Sequence, residues 1–204
     1  MTAPQTLPVN HHADHPGFSG VTGVIVGLML LWMGRANARL ACALTNVSTG
    51  DRVVDVGSGP GGAVREAARR GARVTGVDPA PVMLRLARTF TRDAGVEWVE
   101  GTAESVPLPD GSATVLWSLA TVHHWQDVGA GLGEAHRLLT PNGRLLAVER
   151  RTQPGATGLA SHGWTGQQAE SFAAQCRTAG FTDVTVGQHG RGRRAVWWVS
   201  ARRS

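Results

Sequence analysis

The residues best suited to chemistry lie in a glycine-rich segment, GSGPGG at 57–62, directly after the apolar stretch RVVDV. Gly57, Gly59 and Gly62 fit the spacing G-x-G-x-x-G, in which glycines adopt positive φ and bring bare backbone against a ligand. A helix that begins behind such a loop presents free N–H groups to the same ligand. Asp78 lies 21 residues after Gly57, where a carboxylate can accept both hydroxyls of a ribose. The segment therefore predicts a site for a cofactor that contains adenosine, and its spacing alone fits several such cofactors.

A second polar group, His123, His124 and Asp127, lies in the segment VHHWQD at 122–127, just after an apolar run at 113–120. An imidazole titrates near neutral pH, so either histidine can take a proton from a hydroxyl or an activated carbon. The same residues can instead shape a cofactor pocket or cap the next helix. The sequence leaves both roles open, and the three are our candidate catalytic residues.

Strand and helix signals alternate from residue 52 onwards, and this order positions both groups. The predicted strands are 52–57, 73–78, 96–101, 113–120, 144–150, 182–189 and 194–201, and the predicted helices are 62–71, 81–90, 129–139 and 166–180. The alternation predicts an α/β fold: a Rossmann-like, doubly wound, seven-stranded and mostly parallel sheet with helices on both faces. The last two strands predict a hairpin, so one C-terminal strand runs antiparallel. Ligands of such sheets bind beyond the carboxyl ends of the strands, where both polar groups lie.

Five segments carry a more specific resemblance: VDVGSGPGG, GVDPAPVMLRLA, VEGTAESVPLPDGSATVLWS, VHHWQD and LLTPNGRLLAVE. In this order and spacing they resemble the class I S-adenosylmethionine-dependent methyltransferases, within them the branch of the ubiquinone/menaquinone-biosynthesis enzymes. The resemblance covers residues 50–150 well and 166–201 by topology only. It implies S-adenosyl-L-methionine as cofactor and methyl transfer to a hydroxyl or carbon of a small, apolar acceptor. The terminal hairpin and the segment GTAESVPLPDG weigh against an NAD-dependent enzyme.

The resemblance also implies which residues bind the cofactor. Its methionine part would lie against the glycine loop and the end of the fourth strand, its ribose at Asp78 and its adenine between Pro79 and Met83. The family's motif after the third strand usually reads G-D-A-E, with the Asp on the adenine amino group. This chain has GTAE at 101–104, so Thr102 or Glu104 takes that place. The implied cofactor-binding residues are Asp55, Gly57, Ser58, Gly59, Asp78, Pro79, Met83, Thr102, Ala103, Glu104, Leu119 and Ala120.

The first 49 residues are expected to form an N-terminal arm and helical cap in front of a cofactor-binding core, 50–204. Residues 1–17, with their prolines and the histidines 11, 12 and 15, indicate an irregular, flexible arm, and a helix is predicted over 19–44. Metal binding by these histidines is the alternative, and we predict no metal. We expect residues 9–35 to cover an apolar acceptor pocket. The candidate substrate residues are Phe18, Trp32, Trp125 and Trp164.

Charge and composition restrict the partners. The net charge is +5, and the arginines are dispersed except in RGRR at 191–194 and ARRS at the C-terminus. DNA binding is not indicated; an RNA-modifying methyltransferase and a cofactor-binding protein without catalysis remain the alternatives.

The cysteines and the apolar run bear on the location of the protein. Cys42 and Cys176 indicate neither a disulfide framework nor a metal site, so a reducing, cytoplasmic location is expected. The run VTGVIVGLMLLWM at 21–33 is shorter than the roughly 20 residues of a membrane span. It predicts a buried or partner-facing helix, compatible with a homodimer or with peripheral membrane contact.

Overall fold

The computed structural model describes residues 8–13, 34–93 and 95–204. Within these ranges, helices and strands alternate over most of the chain. The helices are α1 (Arg35–Leu44), α2 (Gly62–Ala68), α3 (Pro81–Phe90), α4 (Val128–Leu138) and α5 (Gly166–Thr178). The strands are β1 (Arg52–Val56), β2 (Arg73–Asp78), β3 (Val96–Glu100), β4 (Ala113–Leu119), β5 (Leu139–Arg150), β6 (Phe181–His189) and β7 (Val196–Arg203).

The seven strands form one sheet in the order β3-β2-β1-β4-β5-β7-β6. Strands β1 to β5 pair in parallel, and β7 runs antiparallel to both of its neighbours, β5 and β6. The strand order reverses between β1 and β4, which places a crevice beyond the carboxyl ends of these two strands. The predicted fold, a Rossmann-like, doubly wound, mostly parallel sheet with an antiparallel C-terminal strand, is confirmed.

Helices cover both faces of this sheet because side chains alternate along its strands. On β4, Leu116 packs in an apolar cluster that includes Phe172 of α5 and Leu132 of α4. Its neighbour Trp117 packs in a second cluster, on the other face, with Val64 of α2 and with residues of α1. Burial on both faces explains why the strands are almost continuously apolar in sequence.

The fifth strand was predicted over 144–150, but in the structure β5 already begins at Leu139 and includes the turn-type residues TPNG at 140–143. The pairing with β4 is irregular there, because the register passes from Ala113–Leu139 to Val115–Arg144. Asn142 has a positive φ of 62°, a conformation that asparagine tolerates well. The turn residues therefore form an irregular first part of the strand, and regular pairing starts at Arg144 as predicted.

Part of the predicted N-terminal region lies outside the described residues. The helix predicted over 19–44 is observed from Arg35 to Leu44. Residues 14–33, which include His15, Phe18, Trp32 and the apolar run, are not among the described ones. No described helix is both long enough and apolar enough to cross a bilayer. The division into 1–49 and 50–204 stays a prediction.

Candidate active site

The glycine loop after β1 is held by its neighbours on both sides. The N–H groups of Gly57 and Ser58 donate to the Val77 carbonyl at 2.8 and 2.9 Å, which ties the loop to β2. Gly57 and Gly59 have φ of 75° and 53°. A Cβ on Gly57 would lie 2.5 Å from the Thr121 side chain, whereas one on Gly59 would meet nothing within 4 Å. Gly57 therefore permits close packing against the end of β4, and Gly59 faces open space that a ligand can use.

Asp78 fixes the same loop from the end of β2. One carboxylate oxygen accepts from the Gly59 N–H at 2.8 Å and the other from the Ala80 N–H at 2.9 Å. Burial raises the pKa of Asp78, and these two N–H donors act in the opposite direction. Each oxygen has a second lone pair, so the carboxylate can still accept a hydroxyl group. The residue predicted to bind ribose thus also shapes the loop.

Two buried polar groups beside the loop have no hydrogen-bond partner among the described residues: Asp55 Oδ1 and Ser58 Oγ. Asp55 is 2% exposed, and burial, followed by the charge of Asp78, raises its pKa to about 7. Unpaired buried polar atoms are rare in folded proteins and call for a ligand or water. These atoms, together with the open side of Gly59, fit the polar end of an amino-acid-containing cofactor.

The residues predicted around adenine differ in their surroundings. Met83 is buried in α3, Pro79 is exposed, and Ala103 is buried in the turn after β3. Thr102 is exposed in the same turn, where its N–H donates to the Ser105 carbonyl at 3.2 Å. The Glu104 carboxylate instead accepts from the backbone N–H groups at 126 and 127, at 2.7 and 3.2 Å. Of the two residues that sequence analysis left open for the adenine contact, only Glu104 has a side-chain hydrogen bond to another described residue, so Thr102 is the better candidate.

Hydroxyl groups connect the end of β4 to the end of β1, the strand that leads into the glycine loop. Ser118 and Thr121 lie 2.7 Å apart through their side-chain oxygens, and Thr121 Oγ1 donates to the Val56 carbonyl at 3.1 Å. Between them Ala120 has a φ of 61°, an unfavourable conformation for a residue with a Cβ. Such strain is typical of functional sites. Leu119 and Ala120, both predicted to face the cofactor, thus end β4 at the crevice.

His123 forms the most specific contact beyond β4. It lies in a short 3-10 turn, Val122–His124, and is 3% exposed. Its Nδ1 is 2.9 Å from the Glu149 carboxylate, which is fully buried near the end of β5. A buried carboxylate needs a partner, and an imidazole N–H provides one. Sequence analysis missed Glu149, although an acidic residue inside the apolar strand LLAVE was a usable signal.

His123 belongs to a cluster of five histidines: His11, His12, His123, His124 and His162. Ring centroids are 4.1 Å apart for 123 and 124, 4.2 Å for 12 and 162, and 5.7 Å for 12 and 123. The backbone of residue 12 donates to the carbonyl of residue 123 at 2.9 Å. Burial, followed by the charges of neighbouring histidines and Arg150, lowers the pKa of His162 to about 4. Across the described residues, no group of His, Cys, Asp or Glu is arranged to hold a metal ion.

Residues 8–13 were expected to belong to a flexible arm, and the structure corrects this for them. The Trp164 indole N–H donates to the Val9 carbonyl at 3.0 Å, and the Gln168 amide donates to the Pro8 carbonyl at 2.9 Å. The Asn10 amide donates to the Trp125 carbonyl at 3.0 Å. Two donors from the core and one from the segment thus attach residues 8–13 to the core and hold His11 and His12 in the histidine cluster.

Three further predicted site residues have structural contacts. Trp164 is fully buried with its ring centroid 4.9 Å from that of Phe172, and Trp125 is 5% exposed, edge-on to the same ring. Of the three tryptophans predicted to contact substrate, Trp125 and Trp164 therefore lie in the hydrophobic core. Asp127 Oδ1 accepts from the Ala130 N–H at 3.0 Å, which caps α4. Capping was the alternative to its catalytic role.

Comparisons with known proteins agree with this geometry. Residues 54–147 match the family described as a methyltransferase domain. A demethylmenaquinone methyltransferase of Tropheryma whipplei (strain Twist) is 37% identical over 112 residues, 54% of this chain and 46% of that protein. A malonyl-[acyl-carrier protein] O-methyltransferase of Serratia marcescens is 36% identical over 121 residues, 59% of this chain and 42% of that protein. The structure of an S-adenosylmethionine-dependent methyltransferase from Aquifex aeolicus has a TM-score of 0.73 at 16% identity, covering 88% of this chain and 98% of that one.

The chain spans less than half the length of these two curated relatives. The structural likeness, at 16% identity, concerns the fold alone. The matched region contains the glycine loop, Asp78 and the His123 turn, which belong to three of the five segments on which the predicted resemblance rests. That resemblance is confirmed: residues 54–147 match the methyltransferase-domain family, and the chain shares its fold with S-adenosylmethionine-dependent methyltransferases of known structure.

Proposed function

We propose that this chain is an S-adenosylmethionine-dependent methyltransferase that acts on a hydroxyl group or an acidic carbon of a small, apolar molecule. The observation that carries this proposal is the buried pair of His123 and Glu149, which are 2.9 Å apart. His123 follows Thr121 by two residues and lies beyond the end of β4, next to the crevice between β1 and β4. A base at this position and a cofactor-binding loop across the crevice are the two parts that such a transfer requires.

The family and the chemistry of the loop support S-adenosylmethionine as the cofactor. When bound, this cofactor supplies a sulfonium methyl group that is already activated for transfer. Asp78 would accept the ribose hydroxyls, and Asp55 with Ser58 would pair with the polar methionine end, because their unpartnered atoms are buried beside it. Much of the catalysis can then come from holding the reacting atoms in line.

His123 would act as the general base. In the neutral tautomer whose Nδ1–H donates to Glu149, Nε2 carries no proton and can accept one from the acceptor. The Glu149 carboxylate fixes the ring and stabilises the imidazolium that forms. Glu149 is therefore a positioning residue. His124 lies beside His123, is less buried, and is the second candidate for the same role.

Two observations support a small, apolar acceptor. The names of the two curated relatives describe methyl transfer to small or carrier-bound molecules, demethylmenaquinone and a malonyl group on a carrier protein. In addition, residues 8–13 cover the side of His123 and His124, which would exclude water from the transfer. Phe18 and Trp32 remain predicted substrate residues.

The proposal is tested first by calorimetry with S-adenosylhomocysteine and with NAD. We expect binding of the former alone. Transfer of a radioactive methyl group is then measured on a panel of quinols and phenols and, separately, on bulk RNA. Failure to bind S-adenosylhomocysteine overturns the proposal, and label in RNA alone favours the RNA-modifying alternative. Binding without transfer to any substrate favours a cofactor-binding protein.

A further inference from the structure

A cleft of about 150 Å³ between α1 and α2 is lined by arginines. Arg35 and Arg39 come from α1, and Arg65 and Arg69 from α2 or the turn directly after it. One carboxylate, Glu66, lies in the same cleft. Four guanidinium groups thus face a single acidic group, a strong local excess of positive charge.

The positive charge in the cleft is poorly compensated within the described part of the chain. Glu66 contacts Arg69 and Arg70, each at 3.6 Å, and such exposed pairs on a helix surface are weak. Arg35 and Arg39 form no ion pair with any described residue. Burial, followed by repulsion from Arg69 and Arg35, lowers the pKa of Arg65. The cleft therefore offers a favourable place for an external anion.

The fold accounts for only one of these four arginines. Arg65 is half-buried and donates to the Pro60 carbonyl at 3.0 Å and to Thr91 Oγ1 at 3.2 Å. Arg35, Arg39 and Arg69 are exposed. The two helices pack through small apolar residues such as Ala41 and Ala67, which need no arginine nearby. Arg35 and Arg39 are thus left available for a partner, and Arg69 is held only by its weak contact with Glu66.

Phosphate groups are the natural partner of clustered guanidinium groups. Two large polyanions display many phosphate groups close together. One is RNA, and the other is a membrane that contains anionic lipids. Single-stranded RNA binding relies on aromatic side chains for stacking, and no aromatic residue is among the described ones that line the cleft. The sequence immediately before Arg35 is the apolar run at 21–33. Basic residues next to an apolar run are the composition of segments that bind membrane surfaces.

We propose that the cleft formed by Arg35, Arg39, Arg65 and Arg69 binds lipid phosphate groups and thereby docks the protein on an anionic membrane surface. This site lies on the helices α1 and α2 and is separate from the histidine cluster. It requires no catalytic activity, so it stands or fails independently of the proposed methyl transfer.

The test is co-sedimentation with vesicles. The full chain is mixed with vesicles of neutral phosphatidylcholine, or of phosphatidylcholine with phosphatidylglycerol, at low and high salt. We expect binding to the anionic vesicles that weakens with salt. The triple variant Arg35→Gln/Arg39→Gln/Arg69→Gln should bind them about 100-fold more weakly, since each arginine near such a surface contributes about 1 kcal/mol. Arg65 is left unchanged because it also supports the glycine loop.

The chain offers a matched control in its other arginine cluster. The variant Arg191→Gln/Arg193→Gln/Arg194→Gln removes the same charge from the β6–β7 turn. It should lose much less vesicle binding, and both variants should bind S-adenosylhomocysteine like the wild type. Equal losses in the two variants would show a net-charge effect and overturn the proposal. Equal binding to neutral and anionic vesicles, or no vesicle binding, would also overturn the proposal. So would a triple variant of Arg35, Arg39 and Arg69 that loses RNA binding but keeps vesicle binding.

Discussion

The cofactor side and the acceptor side of the candidate site are built in different ways. On the cofactor side, Gly57, Gly59 and Asp78 belong to one β-α-β unit and are joined through backbone N–H donors, one of which binds the Asp78 carboxylate. The acceptor side brings together segments from both ends of the chain, 8–13, 122–124, 149–150 and 161–164, through side-chain contacts. The first is a local construction that short sequence motifs describe. The second depends on tertiary packing, so we expect it to respond more strongly to pH and to single side-chain changes.

The largest expected effect is on the cofactor side, at Gly57. Gly57→Ala should lower the free energy of unfolding by about 3 kcal/mol or more, because positive φ and a 2.5 Å contact with Thr121 both oppose a methyl group. Gly59→Ala has the same conformational cost of about 1–2 kcal/mol but no clash. Thermal unfolding measures the loss of stability in each variant, and titration with S-adenosylhomocysteine measures the loss of cofactor affinity.

We expect Gly59→Ala to lose affinity while remaining folded, since its new methyl group points into the space assigned to the ligand. If Gly59→Ala bound S-adenosylhomocysteine normally, the loop would not be the cofactor site. Similar unfolding temperatures for the two variants would instead contradict the packing role of Gly57.

The next effect is on the acceptor side, at the His123–Glu149 pair. His123→Gln should lower kcat by about 100-fold, the usual contribution of a general base. Glu149→Gln should lower kcat less and move the acid side of the pH–rate profile to lower pH, because an uncharged amide stabilises the imidazolium poorly. Glu97→Gln, on the exposed face of β3, serves as the control. A Glu149→Gln profile that coincides with the wild type would show that Glu149 is structural only.

These two effects also show which parts of the site could be predicted from the sequence. The glycine loop and Asp78 were predicted because their residue types are set by local backbone geometry, positive φ and the end of a strand. Glu149 was missed because one acidic residue near a strand end has many uses, and only the fold brings it to His123. Residues 8–13 were missed because they lack periodicity, and their hydrogen-bond partners lie more than a hundred positions away in the sequence.

The histidine cluster should make stability depend on pH. The pKa of His162 is lowered to about 4 from its usual 6.5, so the unfolded chain binds more protons between these values. Stability should therefore be lost as the pH falls from 6.5 to 4 and change little further below that window through this group. The charged or titratable groups that act on the ring are His12, His123, His124 and Arg150. His162→Gln should show a shallower fall in unfolding temperature than the wild type.

The matched control for the pH effect is His189→Gln, which removes an exposed histidine at the end of β6. It should retain the steep fall in unfolding temperature between pH 6.5 and 4. Equal slopes for His162→Gln and the wild type would mean that the cluster does not govern acid stability. The cofactor side lacks histidines among its described residues, so S-adenosylhomocysteine should bind His162→Gln as it binds the wild type.

The smallest expected effect concerns the attachment of residues 8–13. Asn10→Ala removes the amide that donates to the carbonyls of Trp125 and Gln126 at 3.0 and 3.2 Å. These bonds are partly exposed, so the loss should be about 1 kcal/mol. Hydrogen exchange at the backbone N–H of His12, which donates to the His123 carbonyl, should then be about five times faster. Because the cofactor side has no contact with Asn10, its affinity for S-adenosylhomocysteine should not change. A rise in exchange at Gly57 and Ser58 as well would show that the two sides are one cooperative unit, and the contrast between them would fail.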